Sequence, residues 1–86
     1  MTVKLKQTMY QDLEDNILWP YLDKLEYPFC KEGEDYRTWY AGTEFTGSFF
    51  RGYLEVFLYP NLLDTRLRIP EMFIWNRYDY IEVIEK

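Results

Sequence analysis

The stretch covering residues 8–28, TMYQDLEDNILWPYLDKLEYP, decides how this chain is read. Tyr10, Leu13, Ile17, Leu18, Tyr21, Leu22 and Leu25 recur at intervals of three, four and one, the period of a single apolar helix face. Thr8 and Gln11 stand as in a capping box, where a hydroxyl and an amide satisfy the free N–H groups of a first helical turn. Pro20 removes a backbone donor inside the run, and Pro28 closes it. The spacing predicts a helix over about 8–27, kinked or divided near Trp19.

On the N-terminal side, Val3 and Leu5 alternate with Lys4 and Lys6, the pattern of a short strand. On the C-terminal side, FCKEGED (29–35) is polar, contains Gly33 and reads as a loop. Beyond it the chain becomes rich in aromatic and β-branched residues. A strand is expected from Tyr36, then a turn region bracketed by Gly42 and Gly47, then one long strand over 49–59. Residues 63–69 alternate apolar with polar, and 73–84 read as a hairpin turning at Asn76 and Arg77. The expected fold is α+β: a kinked N-terminal helix packed on one face of a four- to five-stranded antiparallel sheet, in a single domain over 1–86.

Composition limits the function. Eighty-six residues make one domain, and 48% hydrophobic with 21% aromatic content is unlike a disordered chain. A net charge of −5 is the wrong sign for a free-standing binder of nucleic acid or anionic lipid. The start MTVKLKQ has no apolar signal core, and residues 49–63 are interrupted by Arg51, Glu55 and Pro60, so no membrane association is expected. Cys30, the only cysteine, allows neither an intramolecular disulfide nor a cysteine-based zinc site. These features together suggest a cytoplasmic protein.

Catalysis is poorly provided for. There is no histidine, Ser48 is the only serine, and the four glycines form no phosphate-binding motif. Lys31 beside Cys30 is opposed by Glu32, Glu34 and Asp35, which disfavours an activated thiolate. That same acidic run lacks the alternating ligand order of a calcium loop. No catalytic residue, cofactor or metal is expected.

Two surfaces stand out instead. Residues 7–35 hold eight acids (Asp12, Glu14, Asp15, Asp23, Glu26, Glu32, Glu34, Asp35) against two bases (Lys24, Lys31), a net −6. On a helix advancing about 100° per residue, Asp12, Asp15, Trp19, Asp23 and Glu26 fall within an arc of roughly 80°. Carboxylates three or four positions apart lie about 5–6 Å from one another, close to the spacing of successive phosphates, and Trp is favoured at binding hot spots. A solvated helix face is charged in any case, so Trp19 carries the functional side of this reading. The second surface is an aromatic sheet face formed by Tyr40, Phe49, Arg51, Tyr53, Phe57 and Tyr59.

The expected function is a small acidic, non-catalytic protein-binding domain of the inhibitor or decoy type, as among phage-encoded inhibitors, immunity proteins and antitoxins. Its partner would be a protein with a basic, nucleic-acid-binding surface, met by the acidic residues with Glu32, Glu34 and Asp35 extending the row. The alternatives are an RNA or single-stranded DNA binder using the aromatic face, or a structural homodimeric subunit joined through it.

Overall fold

In a computed structural model the described residues are 1–20, 30–57, 66–75 and 79–85, with Phe57 described by its backbone alone. Strands occupy Thr2–Leu5 (β1), Met9–Asp12 (β2), Leu18–Trp19 (β3), Tyr36–Trp39 (β4), Glu44–Phe50 (β5), Tyr53–Phe57 (β6), Arg66–Pro70 (β7) and Ile81–Glu85 (β8). One helical turn, Met72–Trp75 (α1), lies between the last two strands. The strands form two antiparallel sheets, in the orders β7-β6-β5-β1-β8 and β3-β2-β4.

This overturns the α+β expectation of a kinked N-terminal helix on one face of a sheet. Over 9–19 the chain is two strands joined by a turn, and residues 21–27 of the expected helix lie outside the described residues. Met9 and Gln11 are buried while Tyr10 and Asp12 are half-exposed, so the period here is two, as a strand requires. Asp12 and Asn16 close the turn. The Glu14 N–H donates to the Asp12 carboxylate at 2.9 Å and the Asn16 N–H to the Asp12 carbonyl at 2.6 Å. Asn16 takes a φ of 59°, a conformation that Asn tolerates better than most residues. The helical spacing of Leu13, Ile17 and Leu18 therefore spans a reversal of chain direction. Pairing of β2 on both edges outweighs a local periodicity that could bury only one stripe.

Two long bent strands organise the rest. Thr2 pairs with Thr46, Lys4 with Glu44, Met9 with Trp39 and Asp12 with Tyr36, the same offset in both sheets on either side of a corner at 6–8 and 40–43. β1 and β2 are thus one bent strand, and β4 and β5 its antiparallel partner. At the corner the Leu5 N–H donates to the Thr43 carbonyl and the Gly42 N–H to the Leu5 carbonyl, at 2.9 and 2.8 Å. Gly42 sits there at a φ of 93°, open to glycine and strained for other residues. A parallel bridge between Ile17 and Arg68 ties the β3 side of the small sheet to β7, the edge of the large one. The strands close into a small barrel, with β8 added beside β1. Closure lets the inward side chains of the described strands cover one another.

Two further expectations change. The long strand expected over 49–59 is a hairpin in its described part, 49–57, because Arg51 and Gly52 form a two-residue turn with positive φ at both positions (50° and 86°). Phe49 pairs with Leu54 and Phe50 with Tyr53. Gly47 is a strand residue rather than a turn residue. A Cβ there would stand 2.2 Å from the Glu55 carbonyl oxygen, so β5 and β6 approach as closely as they do only because the side chain is absent. The expected final hairpin is also replaced: Met72–Trp75 is helical, and β8 pairs with β1. The alternation read in 63–69 does hold over 66–69, where Leu67 and Ile69 are buried and Arg66 and Arg68 exposed.

Candidate functional site

The small sheet gathers the acidic residues by a route the helical projection did not contain. Asp12 ends β2, and the turn after it carries Glu14 and Asp15. The loop at 31–35, which leads into β4, carries Glu32, Glu34 and Asp35. Because Asp12 pairs with Tyr36 and the Leu13 N–H donates to the Asp35 carbonyl at 3.1 Å, the two segments lie side by side at one end of the sheet.

Within this group the carboxylates divide by task. Asp12 receives the Glu14 N–H, and Asp35 receives the Lys31 N–H at 2.8 Å, so both brace the backbone of their own turns. Gly33, at a φ of 90°, donates its N–H to the Tyr36 carbonyl at 2.7 Å and lets the loop fold back. Glu14, Asp15, Glu32 and Glu34 are exposed and, among the described residues, none forms an ion pair. They are the groups that project charge outward. Among the described residues no three acidic or thiol side chains converge as metal ligands.

Trp19 lies on the strand next to this end. It pairs with Tyr10 across β3 and β2, and Tyr10 meets Tyr36 edge-on at 5.5 Å between ring centroids. Cross-strand neighbours share a sheet face, so Asp12, Tyr10, Tyr36 and Trp19 stand on one side. Trp19 remains 43% exposed although its ring also meets Phe73 at 6.3 Å. On the opposite side Gln11 is buried. It accepts from the Trp39 indole N–H at 2.9 Å and donates to the Asn16 side-chain oxygen at 3.0 Å. That bridge couples the acidic turn to β4, holding the display in one shape.

Of the expected acidic residues, the structure brings together Asp12, Asp15, Glu32, Glu34 and Asp35, with Trp19 alongside. Asp23 and Glu26 lie outside the described residues. Glu14 is the acid that sequence reasoning left out of the site, since a helical wheel placed it off the arc. The turn-forming order Asp12-Leu13-Glu14-Asp15-Asn16 is the signal that could have found it.

The expected aromatic face is dispersed. Phe49 turns towards the barrel, where it stacks on Trp75 at 5.8 Å, while Arg51 lies over Phe50 at 5.1 Å in the turn. Tyr53 pairs with Phe50 on the other side of the hairpin, and Tyr40 is 67% exposed in the separate turn between β4 and β5. The Phe57 side chain and Tyr59 lie outside what is described. No helix among the described residues is long and apolar enough to cross a membrane.

Fold and surface together define a small antiparallel barrel with an acidic end. No protein family, curated protein or solved structure matches the chain.

Proposed function

We propose that this protein is a small acidic, non-catalytic binding domain that occupies a basic, nucleic-acid-binding surface of a partner protein, in the manner of inhibitors, immunity proteins and antitoxins. The observation that carries the reading is the convergence of Glu14 and Asp15 with Glu32 and Glu34 from two separate segments. Exposed carboxylates without an ion pair among the described residues set a field that speeds encounter with a basic partner, and Trp19 on the neighbouring strand supplies an apolar anchor. Salt should weaken the association through screening, since the groups are exposed.

The test uses the quadruple variant Glu14→Gln, Asp15→Asn, Glu32→Gln and Glu34→Gln, which spares the two turn-bracing aspartates. The native domain should retain a basic nucleic-acid-binding protein from cell lysate, release it at moderate salt and lose it to added DNA. The variant should fold and retain none of it. Equal retention by a folded variant would end the acidic-decoy reading. Binding of a labelled oligonucleotide at low salt, weakened by Tyr53→Ala, would favour the nucleic-acid alternative instead.

A further inference from the structure

The outer face of the small sheet brings aromatic rings up to the acidic end. Successive residues of a strand point to opposite sides, and Gln11 is buried. Tyr10 and Asp12 on β2, Trp19 on β3 and Tyr36 on β4 therefore share the other side. Trp19 is exposed and Tyr36 half-buried. Tyr36 is held edge-on to Tyr10 at an interplanar angle of 80°.

Charge around this face has one sign. Asp12 is its one charged group among the described strand residues, and one of its carboxylate oxygens accepts the Glu14 N–H. Arg37, the base on β4, pairs with Gln11 and lies over Trp39, so it stands on the opposite side. Segment 21–29, outside the described residues, contributes Asp23, Lys24 and Glu26. With these and Lys31 counted, residues 7–35 keep their net −6. An indole face attracts a cation through its ring quadrupole, and nearby carboxylates add to the attraction. A neutral apolar group would gain neither.

We infer that Trp19 is the contact for an arginine side chain of a protein partner, with the guanidinium laid on the indole and its charge turned to the acidic end. Arginine suits the place better than lysine, because its planar, weakly hydrated group stacks on a ring. It is also what a nucleic-acid-binding surface offers, since its fork matches phosphate. The inference rests on the acidic-end reading and adds the chemistry that the partner must present.

Three peptides of equal length test it, alternating glycine with arginine, lysine or citrulline. Each is titrated into the native domain by calorimetry and by NMR of the Trp19 indole N–H, identified by its loss in Trp19→Leu. The arginine peptide should shift that resonance and bind at least about threefold more tightly than the lysine peptide. The citrulline peptide should not bind. Leucine keeps apolar bulk and loses the ring, so Trp19→Leu should weaken binding at least about threefold, and Trp19→Phe by less. Circular dichroism should be unchanged in both. Equal binding of the arginine and lysine peptides overturns the inference, as does a Trp19 resonance that does not move. So does a folded Trp19→Leu chain that binds like the native one. If the four-carboxylate variant still loses its lysate partner in such a case, the acidic-end reading stands and only the arginine contact falls. A native domain that takes the arginine peptide at Trp19 but retains no basic protein supports the contact and fails the decoy reading.

Discussion

Among the described residues two turns hold a residue other than glycine in the left-handed region, and they differ in what holds it there. Asn16 is secured by its own chemistry: its N–H reaches the Asp12 carbonyl and its side chain accepts from the buried Gln11. Arg51 has no such bond among the described residues and lies over Phe50 in the open. The first turn displays carboxylates on a braced frame. The second displays aromatic rings beside a cation, at a conformational cost that its local contacts do not explain. The contrast separates a turn braced by its own side chains from one that is not.

Five substitutions sharpen or break that contrast. The largest effect is expected at the base of the arginine turn, where Gly47 lets β5 and β6 approach. Gly47→Val places carbon against the Glu55 carbonyl and should cost more than about 3 kcal/mol, seen in urea denaturation as loss of the folded baseline. A stable Gly47→Val chain would mean that the hairpin does not depend on this close approach.

Gln11→Leu comes next. It strands the Trp39 indole N–H and unties Asn16, and a lost buried partner costs about 2 kcal/mol. The urea midpoint should fall with little change in slope. If stability is unchanged, the acidic turn is not coupled to β4 through this bridge.

The same replacement at both turns should then give opposite signs. Arg51→Gly should stabilise by about 1 kcal/mol through relief of the left-handed strain. Asn16→Gly should destabilise by about 1 kcal/mol because the Gln11 amide loses its partner. Thermal unfolding of the two variants compares them directly, and effects of the same sign would remove the distinction between the turns.

The smallest effect concerns Lys6, which is hydrogen-bonded and ion-paired to Asp79. Asp79 raises its pKa above 10.5, first by the hydrogen bond and then by charge. A raised lysine favours the folded state fully below 10.5, and that contribution fades as pH rises through the folded value. Asp79→Asn should therefore flatten the alkaline limb of stability against pH, by a small amount because the pair is exposed. An unchanged limb above pH 10.5 would show that the pair does not form in solution.

Legibility in the sequence followed the range of the interactions. β1 and much of β7 were readable because Val3, Leu5, Leu67 and Ile69 alternate with charged residues and are buried as that pattern requires. The loop at 31–35 was readable from its polarity and Gly33. Residues 9–19 were misread because Leu13, Ile17 and Leu18 keep a helical interval by chance across a turn, while β2 pairs with a partner more than twenty positions away. The turn at Arg51 was missed for a related reason. Asn or Asp before glycine announces such a turn, and arginine does not.

By itself the sequence determined a chain rich in aromatic residues, a surplus of acid concentrated in residues 7–35, and no histidine for acid–base chemistry. Those properties are sums over side chains and do not depend on how the chain is folded. Only the tertiary structure decided that the acids meet at the end of a three-stranded sheet, with Asp12 and Asp35 serving the backbone and Glu14 joining the outward group. It alone placed Phe49 against Trp75, at another end. Neighbourhood on a barrel is set by strand register and closure, and both arise from pairings between distant segments that no local pattern encodes.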